Sequence, residues 1–339
     1  MPTGSLYDWP IHEIATSDMA ALSGRPAACP ICRVADSQPR FWIEGLPHVI
    51  WTCPQCGLGW MHPLPTDAEL ATFYPPTYYG ADGSKFRGWI EWAVRLVGAR
   101  HLRFLTRHLP PGAAVLDVGC GRGVLLRELA NRGFRAFGTE RSVEACAGAD
   151  PRAEIRVCDR LSLAGFDAGS FDQIIVWHVL EHLIDPLETV SEIHRLLKPG
   201  GTAVIAVPNF SSWQARWSGA AWFHLDPPRH IFHFSMPALE RMLTDAGLPV
   251  RSRHHFSLRQ NPFGWVQSAL NRGTGLPRNG LYDWLLRRDH YHADLVGHRL
   301  AYPYAFLLGM PAATALEVLA SLCRNGATVH VVAVKRETN

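Results

Sequence analysis

The stretch VLDVGCGRG, Val115–Gly123, constrains this chain more than any other. A buried strand here runs into a glycine turn and then a helix. Gly119, Gly121 and Gly123 let a ligand approach the backbone closely, and the start of the helix offers unpaired N–H donors. The G-x-G-x-G spacing is tighter than the G-x-G-x-x-G of dinucleotide sites. Asp117 stands just before the turn, placed to meet a cation.

From Ala113 onward, short apolar runs alternate with helical segments. AAVLDVG, FRAFGTE, AEIRVCD, FDQIIVWH and GTAVIAVPN read as five strands, with helices over 123–132, 142–148 and 187–197 between them. That alternation predicts an α/β fold, a parallel sheet covered by helices on both faces. Glu140 ends the second strand, where a carboxylate can accept both hydroxyls of a ribose. Asp159 ends the third, where an acid can take an adenine amino proton. The implied ligand has a ribose, an adenine and a charged tail. The fourth strand runs into VWHVLEHLIDP. His178-x-x-Glu181-His182 has the spelling of a zinc peptidase motif. No substrate-cleft helix with a further ligand accompanies it, so these residues read as polar groups lining a pocket.

In order along the chain, VLDVGCGRG, FGTE, VCD, FDQIIVWHVLEHLIDP and LLKPGGTAVIAVPN resemble the class I S-adenosylmethionine-dependent methyltransferases. The resemblance covers roughly residues 85–336. It implies a Rossmann-like seven-stranded sheet whose last strand is antiparallel, with VRSRHHFSL and ATVHVVAVKR as sixth and seventh strands. It implies S-adenosylmethionine as cofactor, held by Asp117, Gly119, Gly121, Gly123, Glu140, Asp159 and His178. Glu181 and His182 then face the acceptor. Some O-methyltransferases of the family carry E-x-x-E-H here and use it for a divalent ion; this chain has His178 in place of the first Glu.

Cys29-Pro-Ile-Cys32 and Cys53-Pro-Gln-Cys56 lie about twenty residues apart, a spacing that suits a paired-knuckle zinc site. Four thiolates close the metal's coordination shell, so its role is structural. Together with FYPPTYYG, this ribbon resembles the N-terminal part of sugar C-methyltransferases, where it caps the acceptor side. HLDPPRHIFHFS, 224–235, resembles a segment of the same enzymes that ends E-H-x-x-Y-F-S and brings a histidine to the acceptor. Here Arg229 replaces the Glu, which suits a phosphate or carboxylate on the acceptor. His230 is the expected base, with His178 and His233 as the next candidates. RNA methylation through the ribbon, or cofactor binding without catalysis, are the competing functions.

The chain thus divides into a flexible lead-in (1–24), a zinc ribbon (25–63), a linker (64–84) and a methyltransferase domain (85–336). The segment 85–109 reads as a long amphipathic helix. Lys and Arg number 33 against 30 Asp and Glu, so charge gives no case for DNA or general nucleic-acid binding. Eight cysteines, four paired and four scattered, fit a metal site in a reducing compartment rather than a disulfide framework. No basic-then-apolar leader is evident, which suggests a cytoplasmic protein. Leu300–Leu322 carries one charge, Glu317. Its prolines predict a helical hairpin or bent helix inserted between the last two strands, either in the core or as a peripheral contact at the inner membrane. The acceptor is accordingly a small or lipid-linked molecule, with Trp213, Trp217 and Trp222 as an apolar entrance.

Overall fold

The computed structural model describes residues 9–14, 24, 26–73, 105–257, 260–273, 276–286 and 301–336. Most of the helix expected over 85–109 and most of the linker lie outside them. Two sheets organise the rest. The smaller begins with β1 (Ile11–Glu13), β2 (Gln38–Ile43), β3 (Val49–Thr52) and β4 (Gly59–His62), all paired antiparallel. Part of the expected loose lead-in is therefore a strand. Ile11 is buried opposite Ile43, and that apolar contact holds β1 on the sheet edge.

The larger sheet contains β5 (Ala114–Val118), β6 (Arg135–Glu140), β7 (Glu154–Val157), β8 (Phe171–Trp177) and β9 (Leu197–Pro208), all parallel. The short β10 (Phe232–His233) leaves this unit and pairs with β4. The two-residue strand joins the cysteine ribbon to the large domain. β11 (Val250–His254) and β12 (Thr328–Val334) complete seven strands in the order β11-β12-β9-β8-β5-β6-β7. β12 runs antiparallel to both neighbours, as expected for the last strand. β5 is buried along its whole length. A run that is apolar apart from Asp117 suits a central parallel strand covered on both faces.

Parallel order brings the carboxyl ends of β5, β6, β7, β8 and β9 to one edge, where such sheets bind ligands. The helices keep the strands in place. Val124–Asn131 buries Leu126 and Leu129. Pro186–Leu196 starts at Pro186, and the Asp185 carboxylate accepts from the Glu188 N–H at 2.9 Å. Proline fits the first helical turn because that N–H has no partner to lose.

The insertion between β11 and β12 is larger than expected. Helices Asn261–Gly273, Gly280–Leu285 and Ala301–Leu322 share their own small core of Val266, Leu281, Leu285, Tyr302 and Ala313. Ala301–Leu322 is one helix, not a hairpin, and it continues through Pro311. Buried Glu317 fastens it inward. Its carboxylate accepts from Asn261 Nδ2 (2.6 Å), Trp265 Nε1 (3.0 Å), the Ala327 N–H (3.1 Å) and Ser321 Oγ (3.3 Å). Four donors explain how a charge tolerates this position. Glu317→Ala would strand these buried donors and is expected to cost about 3 kcal/mol, whereas Glu317→Gln should cost less. Urea denaturation of the two variants checks this.

Candidate active site

A cavity of about 730 Å³ opens at the carboxyl edge of the sheet. Its wall takes Gly119, Cys120, Gly121 and Arg122 from the glycine turn, Glu140 from β6, Asp159 after β7, and His178 and His182 after β8. Gly119 sits at φ +70°, and a Cβ there would lie 2.7 Å from Val179. Only glycine tolerates both the left-handed backbone and that approach.

The Glu140 carboxylate is already engaged by backbone donors. Oε2 accepts from Gly121 N–H at 2.9 Å, and Oε1 from Arg141 N–H at 2.8 Å. These bonds fix its orientation at the cavity edge. Asp159 is exposed at the mouth, 3.5 Å from Arg141 Nε. Asp117 is buried at the end of β5, behind the turn rather than among the lining residues. Gly123 opens the helix at φ +67° and is likewise not among the lining residues. Burial, then the Glu140 carboxylate, pushes the Asp117 carboxyl up to about 8.

His178 is a second backbone outlier, at φ +53°. A non-glycine residue in that region costs energy, and of the described residues of this kind His178 alone lines the cavity. Its Nδ1 lies 3.2 Å from Glu181 Oε1, while Glu181 Oε2 is buried with no hydrogen-bond partner. His182 Nδ1 donates to the Arg229 carbonyl at 3.0 Å. A carbonyl only accepts, so the proton sits on Nδ1 and Nε2 carries the lone pair. His230 repeats this arrangement, with Nδ1 donating to the His224 carbonyl at 2.8 Å. The His182 and His230 rings are 4.6 Å apart.

Comparison with known proteins identifies the framework. A methyltransferase-domain family matches residues 89–253. The ubiquinone biosynthesis O-methyltransferase of Psychrobacter arcticus is 35% identical over 176 residues, 47% of this chain and 68% of that protein. The chain belongs to the class I S-adenosylmethionine-dependent methyltransferases. The Xanthomonas campestris protein of the same name is 36% identical over 106 residues, 29% of this chain; the chain spans only 44% of that relative's length. Among solved structures, an S-adenosylmethionine-dependent methyltransferase from Archaeoglobus fulgidus aligns at 18% identity and TM-score 0.46, covering 71% of this chain and 94% of that one.

The protein is a methyltransferase, and its cofactor is S-adenosylmethionine. The turn, the free helix start and the oriented Glu140 suit that ligand. The cavity also includes Leu70, from the short helix Asp67–Phe73, and Leu161 after β7. Sequence reading missed both, because single leucines carry no signal until the chain folds them onto the wall.

The histidine segment 224–235 of the methyltransferase lies behind His182, not on the cavity wall. Arg229 pairs with Asp226 and is buried, so its charge is already matched. An acceptor anion would have to compete with that partner. His233 sits on β10, its Nε2 3.0 Å from the Leu225 carbonyl. Trp222 is core, its Nε1 donating to Gln214 Oε1 at 3.0 Å, so the three tryptophans do not form an entrance together.

Burial keeps these histidines neutral: it lowers His224 to about 3, His233 to about 4, and His230 well below the ordinary range. Unfolded histidines titrate near 6.5. Between the folded and unfolded values the unfolded chain holds the extra protons. Stability is therefore fully present above pH ~6.5 and falls as pH drops below it, by about 1.4 kcal/mol per pH unit for each histidine. Denaturation at stepped pH should show this loss; a flat profile down to pH ~4.5 would contradict it.

The four ribbon cysteines are all buried. Cys29 and Cys56 Sγ are 3.7 Å apart, and Cys32 and Cys53 Sγ 3.3 Å. Tetrahedral zinc with bonds near 2.3 Å needs sulfurs about 3.8 Å apart, so the cluster fits structural zinc. The ribbon is bound to the histidine segment. Ser235 Oγ donates to the Cys56 carbonyl, Met61 N–H to the Ile231 carbonyl at 2.9 Å, and Ile231 N–H to the Glu181 carbonyl at 2.8 Å.

Proposed function

We propose that this methyltransferase transfers the S-adenosylmethionine methyl group to a hydroxyl of a small or lipid-linked acceptor. The observation that carries this reading is the His182–His230 pair beside Glu181, at the edge of the cofactor cavity. The relatives named above are O-methyltransferases by name; for this chain, oxygen is our reading. The acceptor oxygen attacks the methyl carbon in line with sulfur. The O–CH₃ bond forms as S–CH₃ breaks, the sulfonium becomes a thioether, and the hydroxyl proton passes to an imidazole Nε2. His182 is the member of the pair on the cavity wall. His230, the base expected from sequence, supports it from behind. The test supplies S-adenosylmethionine with a radioactive methyl group and host extract, then identifies the labelled atom. Label on carbon, on nitrogen or in RNA would overturn the reading.

A second reading rests on a specific observation. One donor atom from each of Glu181, His182 and His230 lies within 4.8 Å of the others. Two imidazoles and a carboxylate suit a divalent cation, which would lower the pKa of a bound hydroxyl. Here, Glu181→Gln should leave the protein folded with the ribbon's metal only. Metal content unchanged by Glu181→Gln would remove this reading.

On the cofactor side, we assign Asp117 to the cationic tail of S-adenosylmethionine. A cation favours the ionised carboxylate, so affinity should rise with pH up to about 8 and level off above it. Asp117→Asn should weaken binding by roughly tenfold or more and abolish the pH slope. Calorimetric titration at stepped pH reads both; a flat wild-type profile would take Asp117 out of the cofactor site.

A further inference from the structure

Helix Ala301–Leu322 turns a row of large apolar side chains outward. Tyr304, Leu307, Leu308, Leu316, Leu319 and Leu322 are all exposed, Leu308 at 72%. The helix is long and apolar enough to cross a membrane. Its inner face is committed to the protein through Glu317 and the helix Asn261–Gly273, so lipid cannot surround it. A helix apolar on its outer side and anchored on its inner side is suited to lie in the plane of an interface.

Beside its last turns is a second cavity of about 740 Å³, lined by Arg253, His254, His255, Arg324 and His330 with Phe256, Val318, Ser321 and Leu322. It shares no lining residue with the cofactor cavity. Among the described residues, no carboxylate lines it. Arg253 is paired with Glu240 at its edge, and Glu317 lies buried behind Ser321. Arg324 is exposed. Among the described residues, His255 Nδ1 is buried without a hydrogen-bond partner, and His255 is 8% exposed. Val318 and Leu322 belong both to the cavity and to the outer apolar face. A ligand filling this space would place an anion against Arg324 and His255 and an apolar chain along the helix. Elsewhere, exposed Trp217 packs against Trp265 of the insertion, with the Arg272 guanidinium 5.1 Å from the Trp217 ring centroid. Tryptophan and arginine suit the headgroup layer of a bilayer.

We propose that this cavity holds the phosphate headgroup of an anionic phospholipid while the outer face of helix Ala301–Leu322 rests in the bilayer interface. The charge of the cavity selects the anionic surface, and its continuity with the apolar face selects lipid over a soluble anion. This docking does not depend on which acceptor is methylated.

The test is co-sedimentation of the full chain with phosphatidylcholine vesicles, with and without phosphatidylglycerol. Binding is expected only when phosphatidylglycerol is present. A basic residue near such a surface contributes roughly fivefold in partitioning, so Arg324→Glu should weaken binding roughly twentyfold. Leu308→Asp should weaken it at least roughly tenfold. S-adenosylmethionine affinity and far-ultraviolet circular dichroism should be unchanged in both variants, showing that they fold. Equal binding to the two vesicle types would overturn the role of the cavity. Binding of inorganic phosphate without vesicle binding would make it a soluble-anion site and overturn the membrane contact. A dimer that Leu308→Asp dissociates, with no vesicle binding, would assign the face to a second copy of the chain.

Discussion

Replacing Cys29 and Cys53 with serine should release the ribbon metal and unfold β1 to β4, while S-adenosylmethionine still binds. A structural zinc site contributes about 10 kcal/mol or more to the fold around it, and the buried side chains of the small sheet, Phe41, Ile43, Ile50 and Met61, share one core with the large domain. The effect should not stop at the ribbon. β10 would lose its partner β4, and Ser235 would lose the Cys56 carbonyl. The chain from Ile231 to Glu181 then loosens, and with it the histidine pair. Displacements of about 1 Å near reacting atoms cost on the order of a hundredfold in rate, and turnover should fall by roughly that factor. Elemental analysis, cofactor titration and methyl-transfer rates on one preparation separate the effects. A native protein that carries no metal, or a serine variant of full activity, would refute the coupling.

His230→Ala should lower turnover by roughly a hundredfold or more, the usual contribution of general acid–base catalysis, and leave cofactor affinity within a few-fold. His182→Ala should do the same. The double variant should be little worse than either single one, because the two act as a unit. The pH profile adds an independent readout. Burial lowers both His182 and His230 below the ordinary histidine range. The neutral, proton-accepting form therefore persists below pH ~6.5, and the acid limb of the rate should appear only beneath that value. Independent, additive losses would point to two separate roles; an acid limb centred above pH 7 would assign the proton to another group.

Much of this was legible in the chain itself. Each apolar run from Ala114 to Pro208 became a strand near its expected bounds. A parallel strand covered on both faces is mostly apolar, and the glycine turn after β5 is local chemistry that depends on no distant residue. The same holds for the cysteines: two knuckles carry their own spacing, and the fold had only to bring them together. The sixth and seventh strands fell where the family resemblance put them.

The remainder depended on contacts between segments far apart in sequence. Nothing local to Leu300–Leu322 shows that Glu317 faces inward; Asn261, Trp265 and Ala327 make that so. Its prolines read as breaks, yet the helix continues because its neighbours hold it. Ile11 looked like part of a loose end until Ile43 gave it a partner. The sequence determined the sheet, the glycine turn and the cysteine cluster, since each is set by periodicity or by spacing within a short stretch. Only the tertiary structure decided which histidines stand together and which face of the last long helix meets solvent, because those are fixed by packing and hydrogen bonds between distant segments that no short stretch encodes.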